Sequence, residues 1–90
     1  MMIQCEITVS GVVQGVGFRY FVFQRARRLN LMGFVRNHLN GNVEIIVEGN
    51  RSLIEELIRY VKTGPPSAYV SNVDLRWNKW MGTFRNFEIK

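Results

Sequence analysis

Apolar residues along this 90-residue chain recur first at every second position and then at helical spacing, and that order of periods is met twice, which leaves few folds open. Ile3, Cys5, Ile7 and Val9 alternate with Gln4, Glu6, Thr8 and Ser10. The pattern predicts a strand with one buried and one wet face, and it turns Cys5 inward as a small apolar residue. Over residues 19–30 the period changes, because Phe18, Phe21, Val22, Ala26 and Leu29 fall on one side of a 3.6-residue wheel. A helix is expected there, with Arg25 beside the stripe and its long stem reaching past the core edge. Residues 31–37 and 42–48 predict two strands joined at Asn40-Gly41, a dipeptide suited to the positive φ angles of a tight hairpin turn.

The helical period returns at Ile54, Leu57, Ile58 and Val61. Ser52 with Glu55 has the form of a capping box, and Asn50 is the alternative cap. Gly64 and Pro65-Pro66 end this second helix. Val73, Leu75 and Trp77 mark a further strand over residues 70–77, and Phe84, Phe87 and Ile89 suggest a short terminal one. The order β-α-β-β-α-β with an extra strand matches the ferredoxin-like, split βαβ plan of the α+β class. Two helices are then expected on one face of a four- to five-stranded antiparallel sheet.

Ninety residues leave room for one core, so residues 1–90 are expected to form a single domain. Cys5 is the only cysteine and His38 the only histidine, which argues against a disulfide, a metal site and a Cys–His nucleophile. No cofactor is expected. No apolar run approaches the ~20 residues that cross a bilayer, so no membrane partner is expected and the cytoplasm is the default compartment. Twelve Lys and Arg against seven acids give a net charge of +5, which favours anionic partners without choosing among them.

The most unusual segment is the connection of residues 11–19, Gly-Val-Val-Gln-Gly-Val-Gly-Phe-Arg, between the first strand and the first helix. Its glycines let successive N–H groups turn toward one point, and the helix that follows adds unpaired N–H groups and a positive dipole end. Arg19 supplies a planar fork of donors suited to two phosphate oxygens. A tight turn with no ligand has the same sequence, since a lone G-x-G is weak evidence of binding.

Two segments taken together resemble the acylphosphatase family: Val9-x-Gly11-x-Val13-Gln14-Gly15-Val16-Gly17-Phe18-Arg19, and Gly33-Phe34-Val35-Arg36-Asn37 followed by Gly41, Val43 and Gly49. Gly64-Pro65-Pro66-x-Ala68-x-Val70 and Phe87-x-Ile89 extend the resemblance over nearly the whole chain, with Val12 standing where many relatives carry a basic residue. The resemblance implies hydrolysis of small acyl phosphates to a carboxylate and inorganic phosphate. It places the substrate-phosphate arginine at Arg19, the water-orienting asparagine at Asn37, and the phosphate cradle at Gln14, Gly15, Val16, Gly17, Phe18 and Arg19. An acyl phosphate as small-molecule substrate, inorganic phosphate as product and a monomeric enzyme complete the expectation.

Two other classes are weighed beside it. Arg25, Arg27 and Arg28 with the aromatic C-terminal region suggest RNA binding, but the R/K-G-F/Y-x-F/Y pattern of a base-stacking strand is missing, so no nucleic-acid partner is expected. A non-catalytic anion-binding module is argued against by the presence of both Arg19 and Asn37. His38 is expected to face solvent at the hairpin, away from Asn37.

Overall fold

The computed structural model describes all residues 1–90. Its elements are β1 (Met2–Val12), α1 (Phe18–Arg28), β2 (Met32–Asn37), β3 (Val43–Asn50), α2 (Arg51–Thr63), β4 (Tyr69–Lys79) and β5 (Phe87–Ile89). They form one five-stranded sheet in the order β4-β1-β3-β2-β5 with both helices on one face, the ferredoxin-like arrangement of an α+β protein. The alternation in β1 is the cause: Cys5, Ile7 and Val9 are fully buried under the helices, while Gln4, Glu6 and Thr8 lie on the opposite face. Val22 and Ala26 of α1 and Ile54 and Leu57 of α2 close the same cluster of 17 buried residues.

The sheet is mixed, where a purely antiparallel one was expected. β1, β2, β3 and β4 pair antiparallel, but β5 pairs parallel with β2, with Gly33 opposite Phe87 and Val35 opposite Ile89. The reason is the path taken after β4. The chain leaves one edge of the sheet, crosses the face away from the helices and arrives at the other edge running in the direction of β2.

Glu48 fastens that crossing. Its side chain points to the open face, yet it is only 1% exposed, because the passing chain covers it. Its carboxylate accepts from Met81 N at 2.9 Å, Gly82 N at 3.0 Å and Gln4 Nε2 at 2.7 Å, and Phe84 packs edge-on against Phe34 farther along the path. Glu48→Ala leaves three donors without an acceptor. A loss of about 3 kcal/mol in unfolding free energy is expected in urea denaturation; a change below ~0.5 kcal/mol, the scale of an ordinary surface substitution, would contradict this role.

Local chemistry settles the cap of α2, which the periods left open, and corrects the tight turn expected at Asn40-Gly41, because Gly41 alone takes a positive φ there. The cap of α2 is Asn50, whose Oδ1 accepts from Ser52 N at 3.1 Å and from the Ser52 hydroxyl at 2.9 Å, while Glu55 turns to Arg51 instead. The β2–β3 turn is longer than a two-residue hairpin. His38 N donates to Asn42 O at 2.8 Å, and Gly41 takes φ 95° after Leu39 and Asn40, a three-residue loop whose last member sits in the left-handed region.

Burial also decides the chemistry of Cys5, whose thiol is pushed up from 9.0 to about 11 by desolvation. The unfolded chain ionises first, so this group costs the fold nothing below pH ~9, and stability falls as pH rises from there toward 11. Thermal unfolding between pH 8 and pH 10.5 is expected to show a steeper loss for the wild-type chain than for Cys5→Ala.

Candidate active site

β1 delivers the residue 11–19 loop to the end of the sheet where β2 finishes. A bulge between Ser10 and Gly11 shifts the β1–β4 register and bends the strand as it enters the loop. Gly17 then caps α1 at φ 78° and ψ 17°, a left-handed conformation that a side chain at this position would strain.

The two helices begin in opposite ways. α2 has the Asn50 side chain on its first turn, whereas α1 has no side-chain cap and no acidic residue in its first turn. Phe21 N donates to Gly17 O at 3.1 Å and opens the helical ladder, and none of the main-chain N–H groups of residues 15–20 donates to an acceptor in the chain. These donors and the positive end of the α1 dipole are therefore available to an anion.

They border a cavity of about 190 Å³ lined by Val13, Gly15, Gly17, Phe18, Arg19, Tyr20, Asn37 and Ile89. Its volume is many times the ~15 Å³ that one water requires. Arg19 projects from the first turn of α1 and is half-buried. It makes one hydrogen bond, from Nη1 to the main-chain oxygen of Lys90 at 3.1 Å, and no ion pair with a side chain, so the rest of its donor fork is free. Asn37 is the last residue of β2, opposite Val43, and its exposed carboxamide makes no hydrogen bond within the chain. The cavity wall carries no Asp, Glu or His. It can bind an anion and hold a water, and it offers no side-chain carboxylate or imidazole for acid–base work.

A profile of the acylphosphatase family matches residues 5–89. The chain belongs to the acylphosphatase family. It is thereby a hydrolase of acyl phosphates. An acylphosphatase of Caldanaerobacter subterraneus subsp. tengcongensis is 42% identical over 84 residues, which is 93% of each chain, and one of Acaryochloris marina is 46% identical over 84 residues, 93% of this chain and 89% of that protein. The crystal structure of acylphosphatase from Bacillus subtilis superposes with a TM-score of 0.94 at 37% identity, covering 100% of this chain and 99% of that one.

Of the acylphosphatase residues singled out in the sequence, the fold brings Gly15, Gly17, Phe18, Arg19 and Asn37 to one cavity. Phe18 lies with its ring in the core, 1% exposed, so only its main chain is offered to the site. Gln14 and Val16 do not line the cavity: Val16 packs toward the core, and the Gln14 carboxamide is turned to the β2–β3 hairpin. His38 is exposed next to Asn37. The fold adds Val13, Tyr20, Ile89 and the main-chain oxygen of Lys90, none of which the sequence assigned to the site. The Arg19–Lys90 contact joins positions 71 residues apart, and no local pattern signals it.

Proposed function

We propose that the unpaired amides of residues 15–20 and the Arg19 guanidinium hold the phosphate group of an acyl phosphate, and that Asn37 orients the water that attacks it. The observation that carries this reading is the run of N–H groups without acceptors, at the wall of one small cavity that also presents Arg19 and Asn37. A helix start that lacks a cap of its own, where the other helix has one, supports an anion as the missing partner.

The reaction asks little more of the protein. The water oxygen bonds to phosphorus while the phosphorus–acyl oxygen bond breaks and its electron pair leaves on a carboxylate. That group is a weak base, with a conjugate-acid pKa of ~4, and departs without a proton. Catalysis then rests on position and on charge stabilisation at the equatorial phosphoryl oxygens, which amides and a guanidinium supply. A carboxamide both donates and accepts, so Asn37 can aim a water without serving as its base. No side chain at the cavity wall is a carboxylate or an imidazole, so the water's proton leaves to a phosphate oxygen, as the family resemblance suggests, or to solvent.

The reading takes residues 1–90 as one catalytic domain, which a single core cluster joining both helices to the sheet supports, and has it work as a monomer on small acyl phosphates in solution. Steady-state hydrolysis of benzoyl phosphate and acetyl phosphate, with inorganic phosphate as inhibitor, tests it. Turnover of both with competitive inhibition is expected. Hydrolysis that inorganic phosphate leaves untouched, or slows only non-competitively, would remove the anion site from this cavity.

A further inference from the structure

Gln14 lies in the glycine loop, but its carboxamide faces away from the cavity and spans to the β2–β3 hairpin. One nitrogen, Nε2, donates to His38 O at 2.8 Å and to Asn42 O at 2.8 Å, across 24 and 28 residues of sequence. Both hydrogens of the amide nitrogen are thereby used, and both acceptors are the carbonyls at the mouth of the hairpin. The same two residues close that hairpin on themselves, since His38 N donates to Asn42 O at 2.8 Å and Gly41 N to His38 O at 3.1 Å. Asn37 is the residue immediately before this clasp and the last one held by the β2–β3 ladder.

The two halves of the site thus come from different parts of the chain. Gly15, Gly17 and Arg19 belong to the β1–α1 connection, and Asn37 to the end of β2. Among the side-chain hydrogen bonds of the residue 11–17 loop, those of Gln14 are the ones that reach the hairpin. We propose that Gln14 is a positioning residue for the hydrolysis: its carboxamide fixes the distance between the phosphate loop and Asn37, and so the line of the attacking water. The proposal rests on the reading that Asn37 orients that water.

Geometry gives the expected effect. In-line attack tolerates little displacement, and a shift of ~1 Å at such a site can cost ~10²-fold in rate. Without the two bonds the hairpin keeps its own closure and is displaced by less than that, so a loss of about tenfold in kcat is expected for Gln14→Met, which keeps the length of the side chain and loses its donors. The anion contacts do not involve the Gln14 side chain, so the inhibition constant of inorganic phosphate is expected to change less than ~3-fold. A residue that only supported the loop would weaken phosphate and turnover together.

The deciding experiment is a double-mutant cycle on benzoyl phosphate, with kcat and the phosphate inhibition constant measured for wild type, Gln14→Met, Asn37→Ala and the pair, after circular dichroism has shown each to be folded. If Gln14 acts through Asn37, adding Gln14→Met to Asn37→Ala lowers kcat by less than ~2-fold. Gln14→Asn keeps the amide on an arm one methylene too short to span both carbonyls. It is expected to match Gln14→Met and serves in its place if the latter does not fold. Full turnover in either Gln14 variant, additive losses in the pair, or a phosphate constant that weakens in step with kcat, with Asn37→Ala slow, would overturn the role of Gln14 and leave that of Asn37 standing. Normal turnover in Asn37→Ala would overturn both.

Discussion

Arg19→Ala is expected to lower turnover of benzoyl phosphate by about two to three powers of ten, the scale on which a preorganised charge-stabilising donor acts at a developing anion. The residue stands in the first turn of α1 with one hydrogen bond, to the main-chain oxygen of Lys90, and the remainder of its fork unused. In the proposed role, removing it takes positive charge from the phosphoryl oxygens in the ground state as well as in the transition state, so inhibition by inorganic phosphate is expected to weaken with it. Arg19→Lys separates charge from shape: a point charge restores part of the phosphate binding, but one ammonium cannot address two oxygens at once, and kcat stays low. The single bond to Lys90 is a half-exposed contact worth ~1 kcal/mol, so both variants should fold and unfold nearly as the parent does. Near-normal hydrolysis by Arg19→Ala would take the arginine out of the reaction.

Asn37→Ala is expected to separate the two measurements that Arg19 moves together. Its carboxamide is exposed at the end of β2 and free of other partners, so truncation leaves the fold and the anion donors of residues 15–20 in place. The inhibition constant of phosphate should therefore stay within ~3-fold of wild type, while kcat falls by about 10²-fold because the water is no longer held in line. Asn37→Asp offers a control, since a carboxylate accepts from water but carries a charge that repels the phosphate, and it should lose binding as well as turnover. Equal losses in binding and turnover for Asn37→Ala would mean that the residue supports the pocket and does not act on water.

Strand and helix periods were legible because burial of one face imposes them directly: Cys5, Ile7 and Val9 must face the core together, and so must Ile54, Leu57 and Val61. Ends of elements were less so. The Ser52–Glu55 spacing fits a capping box, yet Asn50 holds the cap, because which side chain reaches the first amides of α2 depends on how β3 hands the chain to that helix. The direction of β5 was hidden for a similar reason. Three residues with one buried side chain are compatible with either direction, and the crossing held by Glu48 determines which one is used.

For the site, the glycine-bearing connection before a helix and the arginine at that helix start were legible along the chain as an anion-binding pattern, while the role of Asn37 came from the family resemblance of two segments read together. Their meeting at one cavity, the turn of Gln14 away from it toward two hairpin carbonyls, and the seat of Arg19 against the main-chain oxygen of Lys90 were decided by the packed fold. Periodicity and glycine placement act over a few residues and can be read along a chain, whereas a hydrogen bond between groups 24 to 71 positions apart exists only once the sheet has brought their strands side by side.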